Sequence, residues 1–165
     1  MNNRMVHLVV VWPLAIPYYK NVIKKLTAQH AVMLCAVRLY PTHKDLEDFI
    51  AEIYSGSQYD LLRINEKKKS ILLDYNSEIG VISLIFSVDH NDAEWNKERG
   101  RLVYPDVLIT KDQIRSIIQN EIGNISEYET IHMTDDIFEF ENDFLCLMKM
   151  MCLTKYEFCD FEGDF

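Results

Sequence analysis

Apolar residues fall along this chain in two alternating kinds of run, short continuous ones and longer ones spaced at three and four. Residues 6–12, Val-His-Leu-Val-Val-Val-Trp, are continuous and rich in β-branched side chains, the pattern of a strand buried on both faces. Pro13 ends it, since proline cannot donate to a ladder. Ile16, Tyr19, Val22 or Ile23, and Leu26 then repeat at helical spacing over 16–29, with Pro17 in the tolerant first turn. His30 falls in the connection, and 31–40 reads as a second strand stopped by Pro41. Thr42, with Asp45 three residues on, caps a helix to about residue 54 whose face is Leu46, Phe49, Ile50 and Ile53. Ser55-Gly56-Ser57 breaks it. Residues 58–78 show no clear period: 67–69, Lys-Lys-Lys, reads as a solvated loop, and 70–75 as a short strand or helical turn. Residues 80–88 form a third strand, apolar on both faces. A turn at 89–92 follows, with Asp92 capping a short helix through about Glu98 that Arg99-Gly100-Arg101 ends. Over 102–128 only Ile114, Ile117, Ile118 and Ile122 recur, which predicts a short helix or an ordered excursion. A fourth strand is expected at 128–132. Asp136 and Glu139 look like a capping box opening a last helix along Ile137, Phe140, Phe144, Leu147, Met148 and Met151.

Strand and helix thus alternate four times, in one domain over 1–154 with an acidic, aromatic tail at 155–165. Strict alternation suggests a parallel doubly wound sheet, but only four strands are present and no glycine-rich turn follows the first. A split βαβ, ferredoxin-like sandwich takes the same elements.

Composition narrows the function. The chain has 165 residues, 48% of them hydrophobic, and 26 acidic against 17 basic residues, a formal net charge of −9. That balance argues against nucleic acid and anionic membrane as partners. It leaves room for a phosphorylated small molecule held by a few local cations. Cys35, Cys146, Cys152 and Cys159 form no CxxC pair and read as reduced core cysteines, which with the absence of a leader-like or membrane-spanning run predicts a cytoplasmic protein.

The candidate chemistry gathers at 129–136, Glu-Thr-Ile-His-Met-Thr-Asp-Asp. Here a strand end delivers His132 toward a helix N-terminus, which favours phosphate. An imidazole so placed attacks phosphorus when a carboxylate orients its other nitrogen. The plainer alternative is a buried histidine bonded to backbone. Arg99, Arg101 and Arg115 suit bidentate phosphate recognition or are ordinary surface arginines. Trp12, Tyr54, Tyr104 and Tyr128 stack on a base or pack at a rim. His7, His30, His43 and His90 show no ligand spacing, and Asp89, Asp92, Asp135 and Asp136 read as turn and cap residues, so no metal site is expected.

Over about residues 5–150 this layout resembles nucleoside diphosphate kinase. Trp12-Pro13-Leu14-Ala15 stands where that family has Lys-Pro-Asp-Ala, and Glu52-Ile53-Tyr54 where a helix ends in Phe-Tyr. Gln113-Ile114-Arg115-Ser116 looks like Thr-Ile-Arg-Gly, and the stretch from Glu129 through His132 to Asp136 looks like the family's Asn-x-x-His-Gly-Ser-Asp-Ser. The resemblance implies a ferredoxin-like α/β fold, four antiparallel strands with helices on one side. It implies γ-phosphoryl transfer between nucleotides through phosphohistidine, with Mg2+, in a homo-oligomer. His132 would be the nucleophile, Asp143 its orienting carboxylate and Thr134 an assistant. Arg115 and Arg99 or Arg101 would hold phosphates, with Trp12, Tyr54 and Glu129 around the substrate and base stacking near Tyr59 or Leu61. Trp12 and Glu129 depart from the family's lysine and asparagine. They motivate the alternatives of a nucleotide-binding module without turnover and, with Phe158, Phe161 and Phe165 of the tail, a protein-interaction domain.

Overall fold

The computed structural model describes residues 4–55 and 60–161. Its main sheet has five strands in the order β6-β1-β3-β2-β7, every neighbouring pair antiparallel. Strand β1 spans Arg4–Val11, β2 Val32–Tyr40, β3 Val81–Asp89, β6 Ile131–Met133 and β7 Lys155–Phe158. The first four lie in the 4-1-3-2 order of the split βαβ sandwich; the parallel alternative is excluded by the antiparallel registers.

Helices cover both faces, not one. Even-numbered β1 residues (Leu8, Val10, then Trp12) meet α2 (His43–Ser55), α3 (Leu61–Leu73) and α5 (Ile137–Leu153) through Leu46, Phe49, Ile50, Ile53, Ile64 and Leu147. Odd-numbered Val9 and Val11 meet α1 (Tyr19–Ala28) and α4 (Pro105–Ile122) through Val22, Ile23, Leu26, Val107, Ile114 and Ile118. Strand alternation sets the two faces, and double coverage is why β1 and β3 are predominantly apolar on both. Gly80 opens β3 at φ +72°; a Cβ there would stand 2.2 Å from the Leu39 carbonyl oxygen, so only glycine lets β3 pass β2 this closely.

Several segments differ from the sequence expectation. Residues 61–73 are a helix, capped by Asp60 accepting from the Arg63 amide at 2.8 Å, and Lys67 is on its buried side, not in a solvated loop. The short helix expected after Asp92 is instead a hairpin, β4 (Glu94–Asn96) and β5 (Arg101–Val103), turned by Asn96, whose carbonyl and side chain accept from Gly100 and Arg99. The region read as a short helix or an ordered excursion holds α4, a helix eighteen residues long with Pro105 in its first turn. The fourth strand is shorter than expected, because 127–129 form a 3-10 turn closed by a Ser126–Glu129 capping box. The tail begins as a strand: Lys155–Phe158 extends the sheet on the β2 edge, and the Cys159 amide donates to the Ala36 carbonyl at 2.8 Å. No helix among the described residues is long and apolar enough to cross a membrane.

Candidate phosphoryl-transfer site

Strand β6 is only three residues long, yet its alternation decides the site. Ile131 and Met133 point into the core under α1 and α4, so His132 points to the opposite face. There it meets Asp143, one turn after Glu139 on α5. His132 Nε2 lies 2.6 Å from Asp143 Oδ2 and 3.9 Å from Glu139 Oε1. Asp143 is fully buried and His132 is 3% exposed. Asn142 Nδ2 donates to the other Asp143 oxygen at 3.0 Å. The Tyr54 ring, from the end of α2, stands edge-on to the imidazole with centroids 5.1 Å apart.

These groups form one wall of a cavity of about 290 Å³. Tyr54, Arg63, Lys67, Glu98, Arg99, Arg101, Lys111, Arg115, His132 and Glu139 line it, six basic side chains against two acidic ones in a chain whose net charge is −9. Helical spacing does the gathering. Arg63 and Lys67 on α3, Lys111 and Arg115 on α4, and Glu139 and Asp143 on α5 are each four apart, so each pair shares one helix face. The hairpin brings Arg99 and Arg101 over the top.

A buried carboxylate organises the cations. Asp135, 0% exposed, holds Arg99, accepts from Arg101 Nη2 at 3.0 Å and faces Lys111 Nζ at 3.6 Å. Burial pushes its carboxyl pKa up, but Lys111, Arg99 and Arg101 outweigh that and hold it below the ordinary carboxylate value. Burial also pushes Lys111 down, against Glu139 and Asp135; its ammonium donates to the Met133 carbonyl at 2.7 Å. Arg101 also pairs with Asp136 at 2.7 Å, and for Arg101 burial loses to Glu139, Asp136 and Asp135, so its pKa is raised. Burial raises the Glu139 carboxyl against the pull of His132 and Lys111. Arg115 reaches the Ile131 carbonyl at 3.5 Å and Glu127 at 3.7 Å, and its buried Nε bonds to nothing among the described residues.

Of the residues singled out in the sequence, Tyr54, Arg99, Arg101, Arg115 and His132 line the cavity and Asp143 backs His132. Trp12, Glu129 and Thr134 do not reach it. The Trp12 indole is 0% exposed and packs on Phe49, because the β1 alternation turns it into the core. Glu129 accepts from the Ser126 amide at 2.7 Å, closing the turn before β6. Thr134, also 0% exposed, accepts from the Leu8 amide at 3.0 Å and ties β6 to β1. Leu61 is 79% exposed, and Tyr59 lies outside the described residues. Sequence reasoning missed Arg63, Lys67, Lys111 and Glu139. The signal was the three pairs of charged residues at i, i+4, two of them basic.

His132, Glu139 and Asp143 place ligand atoms within 4.8 Å of one another, as do Asp135, Asp136 and Glu139. Their oxygens are engaged: Asp143 with His132, Asp135 and Asp136 with arginines and lysine, Glu139 with the Asp135 amide at 2.9 Å. A resident cation would face this cationic wall, so the donor set does not fit a metal held by protein alone.

No protein-family model matches the sequence, and no curated protein matches it. Solved structures do. A nucleoside diphosphate kinase from Halobacterium salinarum, determined in complex with CDP, superposes with a TM-score of 0.54 and 14% identity over 97% of this chain and 94% of that one. The Aquifex aeolicus nucleoside diphosphate kinase gives 0.53 and 13%, over 87% and 94%. A nucleoside diphosphate kinase family protein from Babesia bovis gives 0.53 and 10%, over 91% of each. With four core strands in 4-1-3-2 order, a fifth on the β2 edge and helices on both faces, the chain is a divergent nucleoside diphosphate kinase-like domain in fold.

Proposed function

We propose that this protein transfers a phosphoryl group through a phosphohistidine at His132, taking it from a nucleoside triphosphate and passing it to a nucleoside diphosphate or another phosphorylated small molecule. The observation that carries the reading is the buried 2.6 Å contact between His132 Nε2 and Asp143, at the foot of a cavity walled by six basic side chains. With Nε2 engaged, Nδ1 is the nitrogen left to act. Asp143 accepts the Nε2–H, fixes the tautomer and offsets the positive charge that grows on the ring as Nδ1 bonds to phosphorus.

In the first half-reaction the Nδ1 lone pair attacks the terminal phosphorus. The bond from phosphorus to the bridging oxygen breaks, and the diphosphate leaves with that electron pair. In the second, a terminal phosphate oxygen of the acceptor attacks the same phosphorus and the P–N bond breaks, returning neutral imidazole. Charge on the equatorial oxygens is stabilised by Arg115 and by the guanidinium groups of Arg99 and Arg101, which Asp135 holds in place before substrate arrives. Mg2+ bound to the nucleotide supplies further neutralisation of the phosphate chain. Cations concentrated in one cavity of an acidic protein also draw in anions that the remaining surface repels.

The test is a label transfer. Incubation with γ-labelled ATP and Mg2+ gives acid-labile, base-stable label on the wild type and none on His132→Ala. A chase with unlabelled nucleoside diphosphates moves the label into triphosphate. Absence of label on the wild type at stoichiometric concentrations overturns the proposal.

A further inference from the structure

Lys67 is 1% exposed, an unusual condition for a lysine. The ordering of α3 places it there: Ile64, Lys67 and Ile71 form the buried stripe, so the lysine occupies a core position that borders the cavity. Its ammonium lies 3.9 Å from the centre of the Tyr54 ring and 4.7 Å from that of Tyr128. The same Tyr54 ring stands edge-on to His132, with centroids 5.1 Å apart. The charged neighbours that act most on Lys67 are Arg63 from its own helix, Lys111 and Arg115 from α4, and Glu127 beside Tyr128 in the 3-10 turn, with Glu98, Arg99, Arg101, His132 and Glu139 lining the same cavity. Burial first, then Arg115, Lys111 and Arg63, press its pKa down to about 7, and Glu127 opposes them. A concentration of cations that repel one another, next to an arginine whose buried Nε has no acceptor among the described residues, favours an entering anion.

We propose that Lys67 is a binding and specificity-determining residue for the substrate's phosphate chain, engaging phosphoryl oxygens in the cavity it shares with His132, together with Arg63 and Arg115. This rests on the reading of the cavity as a phosphoryl-transfer site. It assigns the ligand at least two linked phosphoryl groups, one for His132 and the next for the wall made by α3 and α4. An entering phosphate chain reverses the field at Lys67. The ammonium becomes favoured, and above pH 7 the protein takes up a proton as the ligand binds.

Calorimetric titration of pyrophosphate at pH 8, in Tris and in Hepes, counts that proton from the difference in buffer ionisation heat. The proteins compared are the wild type, Lys67→Arg and Lys67→Met. Wild type is expected to take up close to one proton more than Lys67→Arg, which already carries its charge. Lys67→Arg binds within a few-fold of wild type, and Lys67→Met loses about tenfold or more in affinity along with the extra proton. Comparison with Lys67→Arg cancels the proton exchange of pyrophosphate itself. Equal affinity in wild type and Lys67→Met, or equal proton counts in wild type and Lys67→Arg, overturns the assignment while leaving the site reading in place. Failure of the wild type to bind pyrophosphate overturns both. If one variant does not fold, the proton count against the other decides, with Lys67→Gln standing in for the missing arm.

Discussion

Replacing Lys67 by methionine is expected to stabilise the ligand-free protein, by an amount that depends on pH. Methionine has a similar length and volume and carries no charge to desolvate. In the folded protein Lys67 has a pKa of about 7 against an ordinary 10.5. Below pH 7 the lysine is protonated in both states, and the folded state bears the whole penalty. Between pH 7 and 10.5 the unfolded chain still holds the proton that the folded protein has released, so wild-type stability rises with pH through this window. Above 10.5 neither state is charged and the penalty is gone. At 1.36 kcal/mol per unit, the shift corresponds to about 3–5 kcal/mol at full effect. The methionine variant should therefore gain roughly that much at pH 6.5, with the gain shrinking steadily toward pH 10. In a chain of this size, each kcal/mol is worth roughly 2–4 °C in Tm. Urea unfolding of both proteins at pH 6.5 and 9.5, followed by circular dichroism, reads the difference directly. An equal gap at the two pH values, or a less stable variant at pH 6.5, refutes the reasoning.

Other perturbations follow from the same geometry. Asp143→Asn leaves a hydrogen-bonding side chain beside His132 but removes the charge, so phosphorylation from ATP should slow by about 10²–10⁴-fold while phosphate affinity changes little; an unchanged rate, measured in single turnover, contradicts the orienting role. Gly80→Ala forces a Cβ to within 2.2 Å of the Leu39 carbonyl oxygen at a backbone φ of +72°, and should cost about 3 kcal/mol or more in denaturant unfolding; a loss below about 1 kcal/mol contradicts the packing described at the β2–β3 junction. His7 is 0% exposed, donates from Nδ1 to the Thr134 carbonyl at 3.0 Å and sets its Nε2 2.6 Å from His90, which pairs with Asp106 at 2.8 Å. Burial, then His90, lowers the His7 pKa to about 4. Its contribution is intact above the unfolded value of 6.5 and is lost as pH falls through 4, up to about 3 kcal/mol. His7→Phe should flatten that acid slope, and parallel slopes for variant and wild type would count against it.

The parts of this fold that could be read in the sequence are those where burial and apolarity coincide. Strands β1 and β3 are covered on both faces and are mostly apolar, broken only by Arg4 and His7 in one and Ser83, Ser87 and Asp89 in the other. Helices α1, α2 and α5 bury uninterrupted apolar stripes apart from Asp143. Helices α3 and α4 were obscured by polar residues at core positions. Their buried stripes carry Lys67 in one case and Thr110 and Lys111 in the other, and a cation in a core position breaks the period that marks a helix. The hairpin at 94–103 is short, and Trp95 and Leu102 lie mostly exposed, so neither strand shows an inside and an outside. Strand β7 is exposed along its whole length and owes its form to the free edge of β2, a partner 115 or so residues away that local pattern does not reveal. In the site, His132 was legible because a strand end and a helix cap bracket it. Asp135 was not: as a second acidic residue beside a cap it looked like turn chemistry, and its partners Arg99, Arg101 and Lys111 come from two other elements.

The central claim is that His132, fixed through Nε2 by Asp143, accepts a phosphoryl group on Nδ1. Phosphorus NMR of the protein after incubation with MgATP and removal of nucleotide tests it most directly. The account predicts one phosphoramidate resonance of an Nδ1-phosphohistidine, missing from His132→Ala and discharged by ADP with return of ATP. A resonance that persists in His132→Ala, one belonging to an Nε2 adduct, or no protein-bound phosphorus at all would contradict it.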